Sequence, residues 1–103
     1  MLLSDLARRR SKRIKGVVPV RFRVAGSKET HLAHTLDLAN DGVMLGGFRG
    51  DLKVGDRIEI QYRQNRAEFR IAWIKPRHGS PEKLIGARCL ESGKQIWGPD
   101  VPR

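Results

Sequence analysis

Apolar and polar residues alternate with a period of two through most of this 103-residue chain, in short runs cut by turn residues. Such alternation puts every second side chain on the same face of an extended backbone, so it predicts strands with one buried and one wet face. Val18, Val20, Phe22 and Val24 alternate with Pro19, Arg21, Arg23 and Ala25, which predicts a first strand over 17–25. After the turn Gly26-Ser27-Lys28, Leu32, His34, Leu36 and Leu38 line one face of a second strand over 30–38. Asn40-Asp41-Gly42 signals a tight turn, because these residues tolerate the positive φ that such turns demand. Val43-Met44-Leu45 gives a short third strand ending at Gly46-Gly47, and a loop over Leu52-Lys53-Val54-Gly55-Asp56 leads into a fourth. There Ile58, Ile60 and Tyr62 point one way before Gln64-Asn65 reverses the chain. Phe69, Ile71 and Trp73 alternate with Arg70, Ala72 and Ile74 in a fifth strand over 66–75. A polar loop from Pro76 to Pro81 precedes a sixth strand from Leu84 to Leu90.

Six short strands at this spacing predict an all-β fold, a six-stranded antiparallel β-barrel, since closure removes the unpaired edges a small sheet would carry. The expected organisation is one domain over 1–103: a basic arm over 1–16, the barrel over 17–90 and a tail over 91–103. Residues 91–97 could make a short helical turn before Pro99 and Pro102 forbid its continuation. A hydrophobic content of 39% is low for a packed domain, yet a barrel with a thin core tolerates it, because half of each strand faces water.

The formal net charge of +10 favours polyanionic ligands. Residues 1–15 hold six basic side chains and one acid, so half the excess sits in about a seventh of the length. Cys89 is the single cysteine and reads as a small core residue, with no intramolecular disulfide available to it. Nothing in the sequence approaches the roughly 18–20 apolar residues of a membrane span, and Met1-Leu2-Leu3 is too short for the apolar part of a signal peptide. The expectation is a soluble cytoplasmic protein. His31 and His34, three apart on a strand, point to opposite faces, and His78 has no ligand partner in view, so no metal is expected. Gly46-Gly47-Phe48-Arg49-Gly50 lacks the lysine-serine/threonine ending of a phosphate-binding loop and reads as a bulge or barrel corner. Trp73 and Trp97 read as core and tail-packing residues. No nucleophile stands at a sensible spacing from a base, so the chain is not read as an enzyme.

Arg8-Arg9-Arg10-Ser11-Lys12-Arg13 cannot fold alone, because like charges repel and nothing apolar is buried; an arm that is mobile without ligand is expected. Arg9 and Arg13 stand four apart. Arginine suits a guanine nucleotide: its fork matches phosphate oxygens, it pairs with guanine O6 and N7, and its plane stacks on purines. The same run would also serve as a solvated basic segment. Asp37-Leu38-Ala39-Asn40-Asp41-Gly42 is likewise common at strand junctions.

In combination the two segments change the reading. Arg-x-x-x-Arg ahead of a barrel and Asp-x-Ala-x-x-Gly after its second strand resemble the marks of the PilZ family, the bacterial receptors for cyclic di-GMP. Phe69-Arg70-Ile71-Ala72-Trp73-Ile74 and Leu84-Ile85-Gly86-Ala87-Arg88-Cys89 are similar to that family's fifth and last strands, and the likeness runs on into Trp97-Gly98. The resemblance implies that Arg9 and Arg13 clamp the ligand's phosphates and guanines, often around two stacked ligand molecules. It implies that Asp37 accepts hydrogen bonds from guanine N–H groups, and that Gly42 permits the turn and a close approach of ligand. Arg8 and Arg10 would flank the clamp. Ala39 stands where the family carries serine. A net hydrogen bond of ~0.5–1.5 kcal/mol is thereby missing, against two arginine contacts of ~1.5–3 kcal/mol each, so weakened binding is expected. The function implied is that of a receptor whose ligand-reshaped surface engages or releases a protein partner. Two alternatives stay open: a degenerate PilZ-like adaptor that binds proteins and no cyclic di-GMP, and a general nucleic-acid-binding small barrel. Nucleic acid is the less expected partner, because only six aromatics exist and most fall on inward faces.

Overall fold

The structure, a computed structural model, describes residues 14–39, 41–48, 50–91 and 96–97. Seven strands run through them: β1 (Ile14–Lys15), β2 (Pro19–Val24), β3 (Thr30–Leu38), β4 (Gly42–Phe48), β5 (Arg57–Tyr62), β6 (Asn65–Pro76) and β7 (Lys83–Cys89). Going round the molecule, β3 pairs with β4, β4 with β7, β7 with β6, β6 with β5, β5 with β2, and β2 with β3 again. Every pairing is antiparallel, so the fold is the closed six-stranded barrel that the alternation predicts. The short β1 pairs with the last two residues of β3, Ile14 opposite Leu38 and Lys15 opposite Asp37. No helix occurs among the described residues. The expected helical turn falls mostly on 92–95, outside them.

The barrel interior is filled by the inward residues of each strand: Val20 and Phe22, Leu38, Val43 and Leu45, Ile58, Ile60 and Tyr62, Phe69 and Ile71, and Ile85. Ile96 and Trp97 return from the tail to close this core. The Trp97 ring lies 5.5 Å from Tyr62 and 6.5 Å from Phe69, and the Asn65 side chain donates to the Ile96 carbonyl at 3.2 Å. His31 stacks on Phe22 at 5.2 Å and meets Phe48 edge-on, whereas His34 lies against Gly46 and Gly47. The two histidines thus face opposite ways.

The strict alternation breaks at three bulges, and those in β3 and β6 correct the expected facing of a side chain. In β3, Thr35 is opposite Leu45 but Asp37 is opposite Met44, so Leu36 is an extra residue. Ahead of it the inward positions are Ala33 and Thr35; beyond it the inward position is Leu38. Leu32 therefore does not join the core with Leu38; it is 71% exposed. In β6, Ile71 is opposite Ala87 and Trp73 is opposite Gly86, which makes Ala72 the extra residue. The inward series Phe69, Ile71 then continues at Ile74, and Trp73 is turned to the outer wall instead of the core. In β4 the register shifts between Leu45 and Phe48, with Gly47 at φ 82°. A side chain at Gly47 would meet the His34 ring at 2.8 Å, so the strand passes through both glycines and runs beyond the 43–45 expected. The β5–β6 reversal is at Arg63-Gln64, one residue before the expected position, because Asn65 already pairs with Tyr62.

One buried polar side chain ties down the entry to the barrel. Thr35, fully buried, donates its hydroxyl to the Gly16 carbonyl and accepts from the Val18 amide at 3.0 Å. The Thr35 amide donates to the Val18 carbonyl at 2.9 Å and the Gly16 amide to the Leu36 carbonyl at 3.2 Å. Residues 16–18 are held along β3 before β2 begins.

Candidate functional site

The β3 and β6 bulges act at the same place. Asp37 would face the interior if β3 kept its alternation from Ala33 and Thr35, and Trp73 would do so after Phe69 and Ile71. Each extra residue rotates the side chain that follows onto the outer wall, which is how bulges re-aim residues at functional sites. Both side chains then line one cleft of about 250 Å³. Its other walls are Ala39, Asp41 and Gly42 of the turn, Met44 of β4 and Gly86–Arg88 of β7.

The turn is fixed by its neighbours as well as by its own sequence. The Ala39 amide donates to the Gly42 carbonyl at 3.0 Å, and the Asp41 carbonyl accepts from the Cys89 amide at 2.8 Å. The Ala39 carbonyl accepts from the Trp97 indole N–H at 3.0 Å. A residue of the tail thus holds Ala39 in place. Ala39 is only 5% exposed, so both of its backbone polar groups need these partners. Gly42 lies opposite Arg88, and a Cβ there would stand 3.0 Å from the Ala87 carbonyl oxygen. Its lack of a side chain serves the close packing of β4 on β7. The floor of the cleft is set the same way: a Cβ on Gly86 would fall 2.1 Å from the Trp73 ring, so the indole rests directly against that glycine. The Lys75 ammonium sits 5.3 Å from the same ring.

Chemically, the cleft offers two carboxylates, Asp37 and the exposed Asp41, an exposed guanidinium, Arg88, and an aromatic face, Trp73. Carboxylates accept from N–H groups of a base edge, a guanidinium donates to carbonyl or phosphate oxygens, and an indole stacks on a planar ring. Of the site residues expected from sequence, Asp37, Ala39 and Gly42 come together here. Arg8, Arg9, Arg10 and Arg13 lie outside the described residues. Trp73, Arg88, Met44 and the latch from Trp97 were not foreseen as parts of the site. Their membership depends on bulges and strand register, which leave no local mark in the sequence.

No protein-family model matches the chain, and no curated protein matches it. Among solved structures, the barrel is similar to that of the Bacillus subtilis inhibitor of motility (MotI/DgrA), with a TM-score of 0.66 at 14% sequence identity. The likeness covers 82% of this chain and 43% of that one, so the chain spans less than half the length of that protein. A match at this identity speaks for fold, and the fold is PilZ-like.

Proposed function

We propose that this barrel is a cyclic di-GMP receptor of the adaptor kind, with the ligand held in the cleft between Asp37 and Trp73 and covered by Arg9 and Arg13. The observation that carries the reading is the pair of bulges. Each sacrifices a ladder pairing, and together they move a carboxylate and an indole from inward to outward positions beside the same turn. A guanine is the ring that such a pair fits: its N1–H and N2–H edge donates to Asp37 while its face stacks on Trp73. Asp41 is a second acceptor at the rim.

The attachment of the arm supports the clamp. Ile14 pairs with Leu38, one residue from Ala39, so the arm begins at the mouth of the cleft. Chain connectivity keeps Arg9 within about 18 Å of Ile14 at full extension. Closure would draw on charge neutralisation and stacking, set against the entropy of ordering the arm. The similar barrel of a motility inhibitor fits an adaptor that passes its signal to a protein partner. One observation favours the ligand-free adaptor as a second reading: Ala39 is buried, has both backbone groups engaged, and offers no hydroxyl.

Isothermal titration of cyclic di-GMP into wild type, Arg9→Ala and Arg13→Ala separates the two readings. The receptor predicts binding heat in wild type that is lost or much reduced in both variants. Equal heats in all three remove the clamp, and no heat in wild type leaves the adaptor.

A further inference from the structure

Outside the cleft, the outer wall is sorted by charge into rows. Arg57 of β5 is directly opposite Arg70 of β6, Arg70 is opposite Arg88 of β7, and Arg88 is opposite Gly42 of the turn. Directly paired residues in an antiparallel sheet share a face, so three exposed guanidinium groups stand side by side across three strands. None of the three has an ion-pair partner among the described residues. The carboxylates nearest along the strands, Glu59 and Glu68, stand opposite each other in the next row, and Arg23 already holds Glu59 at 3.2 Å. Like charges placed directly opposite oppose folding, so the sheet carries this row at a cost to stability.

The row starts where the cleft ends. Arg88 lines the cleft, and Ala72, two residues along β6 from Arg70, lines it too. At about 250 Å³ the cleft is smaller than the ~300–1,000 Å³ that ordinarily encloses a drug-sized ligand, and a dinucleotide is at least that large. Part of the ligand must lie on neighbouring surface. Asp37 and Asp41 repel phosphate, so the base edge belongs at the carboxylates and the phosphodiester oxygens belong away from them. Arginine forks are the groups that match such oxygens in pairs.

We infer that Arg88 and Arg70, continued by Arg57, form a phosphodiester-binding strip that holds the part of the ligand projecting from the cleft. This rests on the reading of the cleft as a guanine dinucleotide site and names the wall-side contacts of its phosphates. The strip spans about 9–11 Å from Arg57 to Arg88 at the Cα positions, two strand-to-strand steps.

The test uses wild type, Arg70→Gln, Arg88→Gln and, as a control on the β2 wall, Arg21→Gln. Each is titrated with cyclic di-GMP at low and at physiological salt, and each is melted without ligand. Arg70→Gln and Arg88→Gln are expected to bind about tenfold more weakly or worse, with a shallower salt dependence, while Arg21→Gln binds as wild type. Without ligand, Arg70→Gln is expected to melt at or above the wild-type temperature, because it relieves the like-charge row. A variant that binds as wild type, or that loses affinity only by unfolding, overturns the strip. If wild type binds no cyclic di-GMP, the reading of the cleft fails by itself, and an oligothymidylate strand becomes the probe of phosphodiester chemistry alone. Binding of that strand that requires Arg70 and Arg88 sustains the strip with nucleic acid as its source of phosphates. Binding indifferent to them, or no binding, overturns it.

Discussion

Single atoms decide whether the site exists. Thr35, itself fully buried, holds residues 16–18 through two hydrogen bonds of one hydroxyl. Replacing it with valine keeps the volume but leaves the Gly16 carbonyl and the Val18 amide short of a partner. Thr35→Val is expected to lose about 1–3 kcal/mol in urea denaturation, and Thr35→Ser most of that less. Gly86 is the second such position. The methyl of Gly86→Ala would overlap the Trp73 indole, so the ring must leave the wall. Overpacking of this kind costs about 1–3 kcal/mol, and tryptophan emission should shift red as Trp73 becomes wetter, with buried Trp97 unchanged. An unshifted spectrum at wild-type stability would mean that the indole does not rest on Gly86.

Among the strands, regular parts and interruptions do different work. Regular β2 and β5 bury Val20, Phe22, Ile58, Ile60 and Tyr62 as their alternation predicts. The irregular β3 and β6 build the cleft. Deleting Ala72 would remove the extra residue of β6 and leave Ile71, Trp73 and Ile74 opposite Ala87, Gly86 and Ile85 in unbroken register, with Trp73 still outward and Ile74 still inward. The expected outcome is a protein that still unfolds cooperatively in urea with its core contents kept, whereas a loss of several kcal/mol would show that Ala72 is not the extra residue. The same contrast explains what could be read in advance. Period two reveals a strand in any window of a few residues, and Asp37 and Gly42 were legible because the turn between them has a composition of its own. Leu36 and Ala72 are ordinary strand residues, and only the partner strand shows that one of them is extra. Leu32 and Trp73 were misdirected for that reason. Arg88 escaped notice because its neighbours Arg57 and Arg70 are far away in sequence and adjacent only through register.

At the scale of the whole molecule the net charge of +10 pulls in two directions. Self-repulsion disfavours the compact state, while the same field would draw the proposed anionic ligand toward the protein. Salt shortens the reach of both effects, from a Debye length of ~30 Å at 0.01 M to ~8 Å at 0.15 M. Added salt is therefore expected to raise the melting temperature of the free protein and to weaken its affinity for cyclic di-GMP. Parallel changes in the two quantities would show that the charge excess serves neither purpose. The most direct test of the central claim, that ligand is received between Asp37 and Trp73, follows the two indole N–H signals by nuclear magnetic resonance during a cyclic di-GMP titration. The account predicts that the Trp73 signal moves together with the amides of Asp37, Ala39 and Gly42, while those of Leu32 and Arg21 on the opposite wall stay in place. A titration that leaves Trp73 unmoved, or moves Leu32 and Arg21 instead, would contradict it.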